Sequence, residues 1–320
     1  MATSSLLIDR FRGSLLGLAC GDAVGTSVEF CTPGSFAPVT DMIGGGPFGL
    51  AAGQWTDDTS MALCLAESLL EKQGMDPVDQ LQRYCRWWRD GHWSCTGECF
   101  DIGNATREAL TLFRRTGSPF CGSIDPRKAG NGSIMRLAPV PLYFAAEPSR
   151  AITAAADSSR TTHAAPNAIQ ACRYLAGLIV GAIRGVPKEE LLSPDHAPTG
   201  VNWHDEPLSS EIAEVAGGSF RTREPPVIKG SGYVVRSLEA ALWAFYRAKT
   251  FEEGCLLAVN LGDDADTTAA VYGQLAGALW GERGIPEKWL TRLALREEIT
   301  QLANRLHDHA ATRESSLRMS

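Results

Sequence analysis

A chain of 320 residues with 44% hydrophobic content is long enough to bury a large core, and its length permits one domain or two. Its formal net charge of −7 speaks against the basic face that nucleic-acid binding requires. Nine cysteines, an odd number in a chain this long, do not form the dense framework of a small secreted domain, so they read as reduced thiols of a cytoplasmic protein.

Helical periodicity dominates. Phe11, Leu15, Leu18 and Ala19 share one face of a first helix, predicted to end near Gly21. Thr56 or Asp57 caps a second, with Met61, Leu65, Ser68 and Leu69 spaced down it and Gly74 as its stop. Asp76-Pro77 places a cap and a first-turn proline at the start of a third. Asp101 is read as the cap of a fourth, which runs toward Arg115 and ends at Gly117. The apolar run over residues 39–43 and another over 137–144 could be extended, although proline interrupts the second.

Pro166 opens an apolar helix through Ile183, closed by Gly185 and Pro187. It holds Gln170 and Arg173 and is too short and polar to span a bilayer, so it reads as buried. Residues 193–230 are polar and proline-rich and read as a long surface loop inserted in the domain. Val235, Leu238, Leu242 and Phe245 form one stripe of a helix over 234–249. Asp264 or Asp266 caps another through Trp280, Pro286 opens the last, and the residues after Ala311 read as frayed. No targeting segment stands out: the apolar run over 15–20 is short and follows Asp9, Arg10 and Arg12. The expectation is an all-α fold, one domain over 1–320 with its core at about 8–310, without membrane or nucleic-acid partners.

His92, Cys95 and Cys99 offer three zinc ligands, but no CxxC and no fourth ligand accompany them, and thiols packed beside Trp93 and Phe100 are the preferred reading. Two acidic stretches carry more. Trp55-Thr56-Asp57-Asp58-Thr59 and Asp263-Asp264-Ala265-Asp266-Thr267-Thr268 each stand where a loop enters an apolar helix. At a cap the backbone is not yet helical, so neighbouring side chains can converge as they cannot on a regular helix. Either stretch alone reads as a cap, where acidic groups gain about 0.3–1 kcal/mol from the helix dipole. Together, with no Lys or Arg inside them, they would bury several carboxylates without counter-charge, which is costly. Two divalent cations would balance four carboxylates, and an all-oxygen donor set selects Mg2+ or Mn2+ over zinc.

Residues 129–136, Ala-Gly-Asn-Gly-Ser-Ile-Met-Arg, form a tight loop whose glycines admit positive φ and whose N–H groups could cradle a phosphate. Alone it reads as a turn, as no strand precedes it and no lysine follows in a P-loop position. Gly44-Gly45-Gly46-Pro47 reads as a flexible loop. Asp101 to Asn104 put a carboxylate and a carboxamide at a helix start; Glu29 follows Gly21-Asp22-Ala23-Val24-Gly25; His163 stands just before Pro166. Their ordinary readings are a cap, a solvated surface acid and a structural histidine.

Taken in register, these motifs resemble the ADP-ribosylglycohydrolase family, and within it the dinitrogenase reductase-activating glycohydrolase type. The residues that carry the likeness are Gly21-Asp22-Ala23-Val24-Gly25 with Glu29, Trp55 to Thr59, Phe100 to Asn104, Gly130-Asn131-Gly132 with Met135-Arg136, Thr162-His163, Gly232-Tyr233, and Asp264 to Thr267, over about residues 8–290. The resemblance implies a compact orthogonal helical bundle with a dinuclear Mg2+ or Mn2+ centre that removes ADP-ribose from modified side chains or small molecules. It makes Thr56, Asp57, Asp58, Asp264, Asp266 and Thr267 the metal ligands, and Glu29 and Asp101 the carboxylates of proton transfer. Gly130, Asn131, Gly132 and Ser133 match the diphosphate loop, His163 a residue lining the site, and Tyr233 a wall of the adenosine pocket. Gly103 and Asn104 belong with Asp101 to a stretch matching the arginine-reversing branch. The implied substrate is therefore an N-linked ADP-ribosyl-arginine on a protein. Serine-linked and small-molecule conjugates stay open beside it, as does an immunity-type protein that counters an ADP-ribosyltransferase by binding as well as by hydrolysis.

Two departures from the pattern matter. Asp263 stands where many relatives have glycine, and would either crowd the metals or point to solvent. Ser133-Ile134 is bulkier than the small residues common there and would narrow the phosphate cradle. Among rivals, a terpene-synthase-like lyase needs DDxxD inside a helix, a spacing that Asp263-Asp264-Ala265-Asp266 does not have.

Overall fold

Glycines recur every fourth residue at positions 13, 17, 21 and 25, and again at 273 and 277. In the computed structural model, which describes residues 4–203 and 205–319, this spacing is a seam between two helices. A Cβ built on Gly13 would lie 2.3 Å from the carbonyl oxygen of Gly277, on Gly17 2.4 Å from that of Gly273, and on Gly21 2.1 Å from that of Ala269. At the end of the seam, a Cβ on Gly25 would lie 2.4 Å from the Cα of Asp266. The two backbones touch, and only glycine permits it. Hence Gly21 does not end the first helix, as its residue type suggests; it lies inside it, because packing outweighs the propensity penalty of about 1 kcal/mol.

Fourteen α-helices follow one another among the described residues: α1 (Ser4–Gly25), α2 (Asp57–Lys72), α3 (Pro77–Asp90), α4 (Asn104–Thr116), α5 (Pro139–Tyr143), α6 (Pro148–Arg160), α7 (Pro166–Ile183), α8 (Lys188–Leu191), α9 (Ser210–Ala216), α10 (Val234–Arg247), α11 (Phe251–Val259), α12 (Ala265–Trp280), α13 (Glu287–Arg292) and α14 (Arg296–Met319). No strand is present among them, only isolated bridges such as Gly130 with Tyr233 and Ser123 with His163. The seam helices α1 and α12 and the apolar α7 sit in the main core; Met61, Leu81, Tyr84, Trp87 and Leu110 form a second cluster joining α2, α3 and α4. Among the described residues, no helix is long and apolar enough to cross a membrane.

Several boundaries differ from expectation. Residues 139–143 are helical, and none of 39–43 is in a strand. The polar insertion is not a bare loop: α9 and a following turn bury Ile212, Val215 and Phe220. Pro286 opens only the short α13. The last helix runs unbroken to Met319, because Ile299, Leu302, Ala303, Leu306 and Ala310 give it an apolar stripe and its polar end simply continues from that anchor.

Candidate metal centre

The seam delivers the end of α1 to the start of α12, and Asp22 is the first consequence. Its carboxylate is fully buried and accepts four hydrogen bonds: from Thr56 N at 2.9 Å, Thr56 Oγ1 at 2.9 Å, Thr59 N at 3.0 Å and Thr59 Oγ1 at 2.7 Å. Asp22 therefore does from a distance what a cap does locally, satisfying the N–H of Thr59 in the first turn of α2. Thr56 occupies the cap position but makes no side-chain capping bond, and neither does Asp264 at the start of α12. Neither cap residue is thus spent on its own helix, although Asp266 Oδ1 accepts from Thr267 N at 2.8 Å. The same holds for Asp101: Gly103 is the cap residue of α4, so Asp101 lies two residues outside that helix rather than capping it.

The two stretches meet. Thr56 Oγ1, its proton engaged by Asp22, lies 3.3 Å from Asp58 Oδ2 and 3.4 Å from Asp266 Oδ2; Thr267 Oγ1 lies 3.5 Å from Asp58 Oδ2. Oxygens of Asp22, Asp58 and Asp266 come within 4.8 Å of one another, and so do those of Glu29, Asp101 and Asp266. Asp266 belongs to both groups. Asp57 and Asp264 fall outside both triads but line the same cleft, together with Glu29, Phe30, Asp101, Gly103, Asn104, Gly130, Asn131, Gly132, Met135, His163 and Thr267.

No Lys or Arg is in that lining. Burial pushes the carboxyls of Asp57, Asp58 and Asp266 well above the carboxylate range, and their acidic neighbours push them further. Glu29 is raised to about 9 by burial and then by Asp101 and Asp264; Asp101 is raised to about 7 by burial and then by Asp22 and Asp264. Oxygens of Glu29, Asp101 and Asp266 crowd within 4.8 Å of one another, an approach of like charges that needs either a shared proton or a cation. Asp58 Oδ1 and Glu29 Oε2 are buried without a hydrogen-bond partner. Orphaned carboxylate oxygens around hydroxyl lone pairs, with hard oxygen donors only, fit a divalent cation of the Mg2+ or Mn2+ kind.

Opposite the acids lies the glycine loop. Asn131 N donates to Gly232 O at 3.0 Å, and Asn131 Nδ2 to Asp264 Oδ2 at 2.9 Å, which ties the loop to the second acidic stretch. Neither Gly130 nor Gly132 has positive φ. Glycine is required at 132 for another reason: a Cβ there would lie 2.7 Å from Cε1 of His163. Burial holds that imidazole near pKa 3, so it is neutral, and its Nδ1 is hydrogen-bonded to Thr162 Oγ1 at 2.9 Å. Arg136, buried with its guanidinium 4.6 Å from the Tyr84 ring, donates to Gly132 O and Thr162 Oγ1, both at 2.7 Å, and so clamps the glycine loop to the histidine loop.

Ser133 and Ile134 do not narrow the cleft. Ser133 Oγ accepts from Ser159 Oγ at 2.9 Å inside the protein, Ile134 is fully buried, and neither lines the cleft. Asp263 is absent from the lining too; it takes φ +54°, the left-handed conformation that explains why glycine suits the position. Tyr233 walls an adjoining cavity of about 400 Å3 with Asn104, Arg127 and Lys128, its hydroxyl donating to Glu211 at 2.8 Å. Zinc ligation is not supported: His92 Nε2 pairs with Glu67 at 2.7 Å, and Cys95 Sγ donates to Trp55 O at 2.9 Å. Sequence reading missed Asp22 and Arg136 as site-building residues. Both stand in the matched motifs, but the partners that show their roles, Thr56 and Thr59 for Asp22 and Thr162 for Arg136, lie 26 to 37 positions away in the chain.

The family model for ADP-ribosylglycohydrolase matches residues 3–316. The chain belongs to the ADP-ribosylglycohydrolase family. It is 44% identical over 308 residues to the ADP-ribosylarginine hydrolase Tri1 of Pseudomonas putida, which covers 96% of this chain and 80% of that protein. It is 31% identical over 294 residues to the ADP-ribosyl-[dinitrogen reductase] glycohydrolase of Rhodospirillum rubrum, covering 91% of this chain and 92% of that one. A solved structure described as an ADP-ribosylglycohydrolase-related protein complex matches with a TM-score of 0.84 and 46% identity, over 96% of this chain and 99% of the other. The ADP-ribosylglycohydrolase motifs and the acidic cleft thus coincide in one place.

Proposed function

We propose that the chain hydrolyses the N-glycosidic bond between ADP-ribose and an arginine side chain, using two divalent cations, Mg2+ or Mn2+. The observation that carries this reading is the charge of the cleft. Seven carboxylates converge there, those of Asp22, Glu29, Asp57, Asp58, Asp101, Asp264 and Asp266, with no basic side chain among the lining residues. Two divalent cations supply four positive charges, so up to three negative ones are left over. Such a site favours a cationic guanidinium over a neutral O-glycoside. The 44% and 41% identities to arginine hydrolases of Pseudomonas putida and Serratia proteamaculans support the same linkage.

Thr56, Asp57, Asp58, Asp264, Asp266 and Thr267 would hold the cations. When bound, these ions supply Lewis acidity for the ribose hydroxyls and for a water nucleophile. The chain's own groups do the rest. The glycine loop would meet the diphosphate through Gly132, because the N–H groups of Gly130 and Asn131 are spent on Lys128 O and Gly232 O. His163, neutral and buried, fixes the shape of that loop, and Tyr233 with Gly103 and Asn104 bounds the space for the adenosine end and the linkage. Asp101 and Glu29 enter the cleft from loops and accept the proton of the attacking water. The hydroxyl goes to C1″ of the ribose, the C–N bond breaks with its electron pair on nitrogen, and the proton ends on the departing guanidine. Oxocarbenium character at C1″ is stabilised by the surrounding carboxylates.

The test is incubation with arginine- and serine-ADP-ribosylated peptides, with and without Mg2+ or Mn2+. Metal-dependent release from arginine is the expected result. Release from serine alone, or from arginine with equal rate in chelator, would overturn the reading.

A further inference from the structure

An exposed aromatic residue is held beside this cleft in a conformation that it would not choose. Phe30 follows Glu29 directly, lines the cleft with it, and is 68% exposed at φ +60°. For a bulky side chain that φ is unfavourable, and strain of this kind persists only where the surroundings impose it. They do so here through a two-bond clamp: Phe30 N donates to Asp263 O at 2.7 Å, and Asp263 N donates to Cys31 O at 2.8 Å. Asp263 is itself left-handed, at φ +54°. The Phe30 backbone is thereby fixed relative to Asp264 and Asp266, whose stretch carries the other half of the clamp, and the ring is carried at the edge of the cleft. Burial does not explain the ring, because most of it faces solvent. The helix starts do not need it.

We propose that Phe30 is a specificity residue whose ring stacks on the guanidinium of the ADP-ribosyl-arginine linkage; this rests on the arginine reading above. The chemistry suits the place. A delocalised planar cation gains from an aromatic face and from nearby carboxylates at once, and Glu29 and Asp101 stand in the same lining. A hydroxyl-linked conjugate would gain nothing from the ring. Phe30 touches the leaving group and leaves the ADP-ribose moiety to the metal-binding and glycine-loop residues. Its removal therefore acts on the linkage and spares the rest of the ligand.

The experiment uses the full chain with Mn2+. KM is measured for an ADP-ribosyl-arginine peptide, and Ki for free ADP-ribose, which has no guanidinium, in wild type, Phe30→Leu and Phe30→Tyr. Thermal melts set the folded fraction of each. The expected result for Phe30→Leu is a KM raised ~5-fold with the ADP-ribose Ki within about twofold, and recovery in Phe30→Tyr, as a cation–π contact of ordinary strength requires. An unchanged KM, or an equal rise in KM and Ki, would overturn the proposal and make Phe30 a wall of the cleft only. Failure of the arginine reading looks different: wild type itself would not turn over the arginine peptide.

Discussion

Asp22→Asn isolates what the buried carboxylate at the end of α1 does. The substitution keeps size and shape but replaces one acceptor oxygen with an NH2 group. All four partners of Asp22 are donors, two on each oxygen: Thr56 N and Oγ1 on Oδ1, Thr59 N and Oγ1 on Oδ2. Whichever way the amide turns, one backbone N–H and one hydroxyl face another donor. The hydroxyl can rotate away, whereas the backbone N–H cannot, and one buried unsatisfied N–H costs about 1–3 kcal/mol. Opposing this, the variant removes a buried negative charge from a cluster of like charges, which relieves the metal-free fold. The two effects act against each other on stability and together on cation binding, since the site loses both charge and the setting of Thr56. Calorimetric titration of folded Asp22→Asn with Mn2+ is expected to give a Kd ~10–100-fold weaker than wild type, the usual loss when a partner behind the ligands is removed. A Kd within about twofold of wild type, in protein with unchanged helical circular dichroism, would refute the positioning role.

Other perturbations separate the remaining parts. Asp266→Ala, which breaks both oxygen triads, is expected to abolish metal-dependent hydrolysis and, in the metal-free protein, to leave the thermal midpoint unchanged or higher; a lower midpoint would mean that its carboxylate supports the fold. Asp101→Asn should lose turnover while still binding ADP-ribose by calorimetry, because it caps nothing that Asn would need to replace. Gly132→Val places branched carbons where a single Cβ already meets His163 at 2.7 Å, so ADP-ribose affinity should fall in well-folded protein while Mn2+ binding survives. Glu67 supplies a pH test away from the cleft. Burial pushes it up, but hydrogen bonds from His92 and Arg83 bring it down to about 2. A depressed carboxyl stabilises above its unfolded pKa and loses that contribution as pH falls. Acid titration from pH ~4.5 toward ~2 should therefore remove ~1–2 kcal/mol, after allowance for solvent screening, and Glu67→Gln should flatten that limb of the stability curve.

What the sequence made legible follows range of interaction. Asp76-Pro77 as a helix start and Pro166 to Ile183 as a buried helix are decided by residues within one turn or by strong periodicity, and both stand in the structure. Gly21 misled because a glycine near the end of an apolar run also looks like a stop signal; its role is set by Ala269, almost 250 positions away. Asp101 looked like a cap because Asp is a favoured one, yet Gly103 takes the position and the carboxylate is left for the cleft. The two acidic stretches were visible as motifs, but that they meet is a tertiary fact, fixed by Asp22 and by the glycine seam. Arg136 was hidden for the same reason: nothing local says that an arginine after a methionine will be buried under Tyr84 and hold two loops together.

The same geometry implies an order in which the site must be built. Helices α2 and α12 start at one point, so their N-terminal dipoles, worth about half a positive charge each, both face the carboxylates. That is ~1 charge against seven, and no buried basic residue in the lining makes up the difference. The metal-free chain can hold the cluster only by keeping protons on it, which is where burial drives Glu29, Asp57, Asp58 and Asp266. Loading cations must then release protons, since the ligands bind as carboxylates, and must stabilise the fold by mass action. The glycine seam is what makes this tolerable. It presses α1 against α12 by backbone contact, without side chains that could be lost to repulsion. The acidic site can thus be preorganised before its counter-charge arrives.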